Sequence, residues 1–106
     1  ISGAAVRLFP ADAYLGIAEG IETALAASVL FQMPVWAAIS AGGMESWIPP
    51  NTAKKIVVFG DLDDTYTGQK AAYTLARRLV ASGVSVDVHF PKEIGTDFAD
   101  EIRSQP

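Results

Sequence analysis

The chain of 106 residues has no cysteine and a single histidine, His89. The first absence rules out a disulfide scaffold and every cysteine-based zinc ribbon or finger within these residues. The second leaves His89 without the partners a zinc site needs. Freedom from disulfides is compatible with a reducing compartment, and a cytoplasmic location is the expectation. No uninterrupted apolar run is long enough to cross a bilayer, and no basic-then-apolar leader opens the chain, so it reads as soluble, with no membrane partner. Basic residues are also scarce: 8 Lys and Arg stand against 12 Asp and Glu, for a net charge of −4. Nucleic-acid binders usually carry a basic face. Here the bases fall at Arg7, Lys54-Lys55, Lys70, Arg77-Arg78, Lys92 and Arg103 rather than in one long stripe. That balance counts against a stand-alone DNA-binding module. It is neutral towards a domain that meets nucleic acid through divalent ions, because a bound cation reverses the local sign of clustered carboxylates.

What is present is apolar substance. Half of the residues are hydrophobic, enough for one domain with a single core. A chain that opens on Ile1 and closes on Arg-Ser-Gln-Pro is expected to be one domain, residues 1–106, excised from a longer polypeptide.

Residues 4–9 suit a short edge strand. Tyr14 to Ala18 is a compact apolar run ending at Glu19-Gly20, a buried strand followed by a tight turn. Composition turns helical from Ile21 to about Gln32, and Pro34 ends that helix. Val35 to Ile39 reads as the next strand, Ser40 to Gly43 as a loop, and Met44 to Ile48 as one helical turn. Ile56-Val-Val-Phe59 has strong strand character. From Gly68 the positions Ala71, Ala72, Leu75, Ala76, Leu79 and Val80 repeat at helical spacing, with Lys70, Thr74, Arg77 and Arg78 facing out. Val84 to Phe90 alternates as a last strand, with a turn at 98–102 after it. Strands alternating with helices imply right-handed βαβ units around a mainly parallel sheet, an α/β fold.

Ligands of open α/β sheets bind beyond the carboxyl ends of the strands. Glu19 ends one apolar run, Asp61 and Asp63 follow another, and Asp97 follows the last by a short loop. Magnesium prefers hard oxygen ligands and keeps several waters, so one or two protein carboxylates suffice to hold it. A lone Asp-x-Asp is usually solvated turn chemistry. Glu19 alone can be read as a helix cap, Glu22 as a partner of the helix dipole, and Asp64 as a turn or capping residue. The acids carry weight together, because each main one terminates an apolar run. Other motifs are weaker: Ser40 lacks a nucleophile elbow, Gly42-Gly43 lack the P-loop lysine, and Trp36, Trp47 and Tyr73 read as packing residues.

Glu19-Gly-Ile-Glu-Thr-Ala-Leu-Ala26, Val57-Val-Phe-Gly-Asp-Leu-Asp63, Gly68-Gln-Lys-Ala-Ala72 and Gly95-Thr-Asp97 together resemble the Toprim domain, in the form found in primases and primase–helicases of phages and plasmids. The resemblance runs from about Leu15 to Ile102. It implies a Rossmann-like three-layer fold with about four mainly parallel strands. It implies acid–base work for Glu19, metal binding by Asp61, Asp63 and Asp97 with Mg²⁺ or Mn²⁺, and substrate contact by Lys70. The implied activity is nucleotidyl transfer in DNA replication. Its partners would be a single-stranded DNA template and nucleoside triphosphates, with zinc-binding and helicase domains elsewhere in the full-length protein. The gap from Asp64 to Thr67 and the apolar Leu62 depart from many members without removing a ligand. Strand cleavage of the nuclease or topoisomerase kind stays open, as does a non-catalytic recruitment role. A phosphorylated receiver-like domain would need a late lysine, for which Lys92 is a poor fit.

Overall fold

A computed structural model describes residues 5–91. Four strands form one parallel sheet: β1 (Tyr14–Ala18), β2 (Val35–Ala37), β3 (Lys55–Phe59) and β4 (Ser85–His89). Helix α1 (Ile21–Phe31) joins β1 to β2, α2 (Ala41–Ser46) lies between β2 and β3, and α3 (Thr67–Ala81) joins β3 to β4. The spatial order is β2-β1-β3-β4, so the chain steps outward from β1 in one direction and then returns to build on its other side.

Alternation along the strands sets the two layers. Leu15, Ile17, Ile56 and Val58 point to one face, where they pack with Met44 and Trp47 and with Ala71, Ala72, Leu75 and Leu79 of α3. Ala18, Val57 and Phe59 point to the other, against Ala24, Ala26 and Ala27 of α1. Small residues on both sides let α1 sit close to the sheet. Gly16 belongs to this economy of space: a Cβ there would lie 2.7 Å from the Phe59 ring and 2.9 Å from Val35. Trp36 and Trp47 are both buried and meet edge to face with centroids 6.3 Å apart. The indole nitrogen of Trp36 donates to the Phe9 carbonyl at 2.9 Å, which satisfies its polar atom inside the core.

Three sequence expectations need adjustment. The segment expected as an edge strand makes an isolated antiparallel bridge between Val6 and Ala37, because β2 is only three residues long. Ser40 to Gly43 is not a loop but the start of α2: the Ser40 hydroxyl accepts from the Gly43 amide at 2.9 Å and caps the helix. Gly43 is required there, since a Cβ would press on the Ala38 carbonyl at 2.5 Å. Tyr73 is 53% exposed rather than a core residue, resting on Phe90 with centroids 5.4 Å apart. No helix among the described residues is long and apolar enough to cross a membrane.

Candidate functional site

The strand order reverses between β1 and β3, and a doubly wound sheet opens its ligand crevice at the carboxyl side of that junction. Ala18 and Phe59 are register partners at the ends of these strands. The next residues are therefore Glu19 on one side and Gly60-Asp61 on the other. The backbone there is tightly held. The Glu19 carbonyl accepts from the Ile39 amide at 2.5 Å, and the Gly60 amide donates to the His89 carbonyl at 2.9 Å. All four strand exits thus meet at one edge.

Glu19 does not cap α1. Gly20 occupies the cap position, with no side-chain hydrogen bond, and the Glu19 carboxyl is left for the crevice. Its pKa is raised above the ordinary glutamate value, first by burial and then by the negative charges of Asp61 and Asp63. The three carboxylates therefore share one electrostatic site, as their positions at the ends of apolar runs implied.

Asp63 has a second role that its spacing did not announce. Its Oδ1 accepts from the Thr65 hydroxyl and the Thr67 amide, both at 3.0 Å, and its Oδ2 accepts from the Gly68 amide at 3.0 Å. These are amides of the first turn of α3, whose own cap residue Tyr66 supplies no side-chain bond. Asp63, not Asp64, caps the helix. The Gly68 amide in the first place, with the Thr65 hydroxyl and the Thr67 amide, holds its pKa below the ordinary aspartate value against the opposing effect of desolvation. The Gln69 side chain closes the loop by donating to the Asp63 carbonyl at 3.1 Å. Tyr66 is forced outward at φ 63°, 66% exposed, a conformation that costs a non-glycine residue about 1 kcal/mol.

Asp61 lies against the same helix start. Its Oδ1 is buried, and Gly68 contacts its backbone so closely that a Cβ would overlap the Asp61 carbonyl. Lys70 follows one turn later and is exposed. Asp97, the fourth expected ligand, lies outside the described residues, as does the turn expected at 98–102.

Among the described residues no group of three or more His, Cys, Asp or Glu side chains is gathered closely enough to hold a metal by itself. The donor chemistry still fits a hard divalent cation that brings its own waters. All donors are carboxylate oxygens, Glu19 is destabilised as an anion by burial and then by the two aspartates, and Oδ2 of Asp63 accepts one hydrogen bond where Oδ1 accepts two.

A doubly wound parallel sheet with carboxylates at its switch point defines a class of α/β domains that act at strand ends. Within that class, the family model for the Toprim domain matches residues 14–105, and the chain belongs to the Toprim family. Among solved structures it is similar to a DNA primase domain from Pseudomonas aeruginosa, with a TM-score of 0.61 and 20% identity. That match covers 90% of this chain and 30% of the primase chain, so this chain spans under a third of that structure's length. Comparison with curated proteins finds no match.

Proposed function

We propose that the domain carries the catalytic carboxylates of a primase-like protein, with Mg²⁺ or Mn²⁺ held by Asp61 and Asp63 and by Asp97. The observation that carries this reading is the placement of Glu19, Asp61 and Asp63 just beyond the register partners Ala18 and Phe59 at the β1–β3 switch point, where burial and then the two aspartates raise the Glu19 pKa. A divalent ion bound there supplies positive charge to the phosphates of an incoming nucleoside triphosphate. In primer extension the terminal hydroxyl oxygen bonds to the α-phosphorus, pyrophosphate leaves, and the hydroxyl proton must go to a base. Glu19 is suited to take it. A carboxylate with a raised pKa is a better base at neutral pH than an ordinary one, and its carbonyl hydrogen bond to Ile39 fixes its backbone. Asp63 ties the site to α3, so substrate bound at the carboxylates meets a helix start already fixed in place. A single-stranded DNA template and nucleoside triphosphates are the substrates, in a cytoplasmic protein of phage or plasmid type with zinc-binding and helicase domains in the same polypeptide.

Primer synthesis by the full-length protein tests the proposal. Glu19→Gln should keep the fold and template binding while synthesis falls by about 10²–10⁴-fold, the usual yield of general acid–base catalysis. Synthesis at the wild-type rate by a folded Glu19→Gln protein overturns it. Cleavage of the template without synthesis by the wild-type protein assigns the same carboxylates to a nuclease instead.

A further inference from the structure

Among the described residues, helix α3 is the one long element free of the acidity that marks this chain. Its 15 residues include Lys70, Arg77 and Arg78 and not one Asp or Glu, in a sequence where acids outnumber bases by 12 to 8. Lys70, Tyr73, Thr74 and Arg77 recur at the spacing that puts residues on one helical face. They line a shallow outward groove with Arg78 and Ala81, and among the described residues no acid lines it. Lys70 and Arg77 are both exposed. Arg78 instead reaches across to α2, donating to the Glu45 carbonyl at 3.1 and 2.9 Å and to the Trp47 carbonyl. It braces the wall of the groove, and among the described residues Lys70 and Arg77 form no salt bridge.

We infer that this face of α3 binds the sugar–phosphate backbone of single-stranded nucleic acid and leads it to the carboxylate site. Charge complementarity selects the occupant: two exposed cations and a hydroxyl match phosphates, and the half-exposed Tyr73 ring and the aliphatic stems between them suit sugars and bases. Lys70 and Arg77 are two turns apart, about 10 Å along the axis, a span that covers a few successive phosphates of a strand. Direction follows from the fold. The helix begins on the Asp63 carboxylate, so a strand lying along the groove has one end at the site where Glu19, Asp61 and Asp63 act. The inference rests on the nucleic-acid reading of that site and adds the surface that holds the substrate, where the carboxylates alone repel it.

Fluorescence anisotropy of a short labelled single-stranded DNA, titrated with the full chain across about 50 to 200 mM salt, tests it. Lys70→Ala with Arg77→Ala should weaken binding at least tenfold at the low-salt end. The slope of log affinity against log salt should shrink by about 1.4, because two phosphates of the single strand would no longer be neutralised. Lys54→Ala removes an exposed charge outside the groove and should bind as wild type. Melting curves of each variant confirm folding. Equal losses in Lys54→Ala and in Arg77→Ala alone overturn the groove, because net charge would then explain them. Failure of the wild-type chain to bind DNA at low salt overturns it too. Competition by polyglutamate as strong as by unlabelled DNA reassigns the face to an acidic protein and also overturns it. Binding lost in the groove variant while Glu19→Gln still makes primers would refute the catalytic proposal and leave the groove standing.

Discussion

Gly68 lies so close to Asp61 that its missing side chain is what allows the first turn of α3 to rest on the end of β3. A Cβ at Gly68 would overlap the Asp61 carbonyl and come within 2.9 Å of the Asp61 Cβ. The contact is with backbone, which cannot swing aside as a flexible side-chain tip can. The same amide of Gly68 binds Asp63, so one residue sets the position of both aspartates.

Gly68→Ala should therefore destabilise the fold by about 1–3 kcal/mol, the usual cost of overpacking. It should also weaken Mn²⁺ binding measured by calorimetric titration. Urea denaturation gives the first quantity. An alanine variant of wild-type stability and metal affinity would show that the helix start adjusts freely and that Gly68 does not set the aspartates.

Asp63 should make stability depend on pH with a definite sign. Its folded pKa is lowered by the Gly68 amide, then by Thr65 and Thr67, so its contribution is fully present above the ordinary aspartate value of about 3.9. It is lost as pH falls through the lowered folded value. Asp63→Asn should consequently melt below wild type at neutral pH, and the gap should close in acid. Thermal melts across that range check it; a gap that widens in acid contradicts the capping geometry.

The parts of this molecule that were legible in the sequence are those written in apolar runs. Tyr14–Ala18 and Lys55–Phe59 announce buried strands, and the acids beyond them fall at the sheet edge by the geometry of parallel strands alone. Helix α1 shows what such runs leave open. Ile21, Leu25 and Val29 are exposed while Thr23, Ala24, Ala26 and Ala27 are buried. Apolar residues occupy both faces, so periodicity does not say which one meets the sheet. The helical turn expected from Met44 overlaps α2, but the helix's first residues were hidden because glycines read as loop, and only the Ser40 cap reveals why they are helical. Asp63 was legible as an acid of the site but not as the cap of α3. Its partners are the amides of Thr67 and Gly68, four and five residues on, beyond the reach of the usual cap spacing.

Arg78 joins α2 to α3 through carbonyls at the end of α2, groups left without helical partners at every helix terminus. Its Nε and Nη2 both donate to the Glu45 carbonyl. Arg78→Ala should lower stability by about 1 kcal/mol, the typical net worth of such bonds at a partly exposed position. Lysine should restore little of this, since one ammonium lacks the planar fork that reaches two carbonyls. Full recovery in Arg78→Lys, read by urea denaturation, would mean that charge near the helix end matters and the fork does not.

Glu19 should respond to pH in the opposite sense to Asp63. Its folded pKa is raised by burial and then by Asp61 and Asp63, so the folded state holds its proton more tightly than the unfolded chain. The associated stability is fully present below the unfolded glutamate value of about 4.3 and is lost as pH rises through the raised folded value. Above that window the ionised carboxylate opposes folding. Glu19→Gln removes the charge with little change of shape, so without divalent metal it should melt above wild type at neutral pH and at the same temperature in acid. Added Mn²⁺ should then stabilise wild type more than Glu19→Gln, because a cation at the site relieves the repulsion that only the wild-type glutamate suffers. A helix cap behaves otherwise: its loss lowers the melting temperature at neutral pH. Glu19→Gln melting below wild type at neutral pH, with no change in the response to Mn²⁺, would therefore remove Glu19 from the carboxylate site.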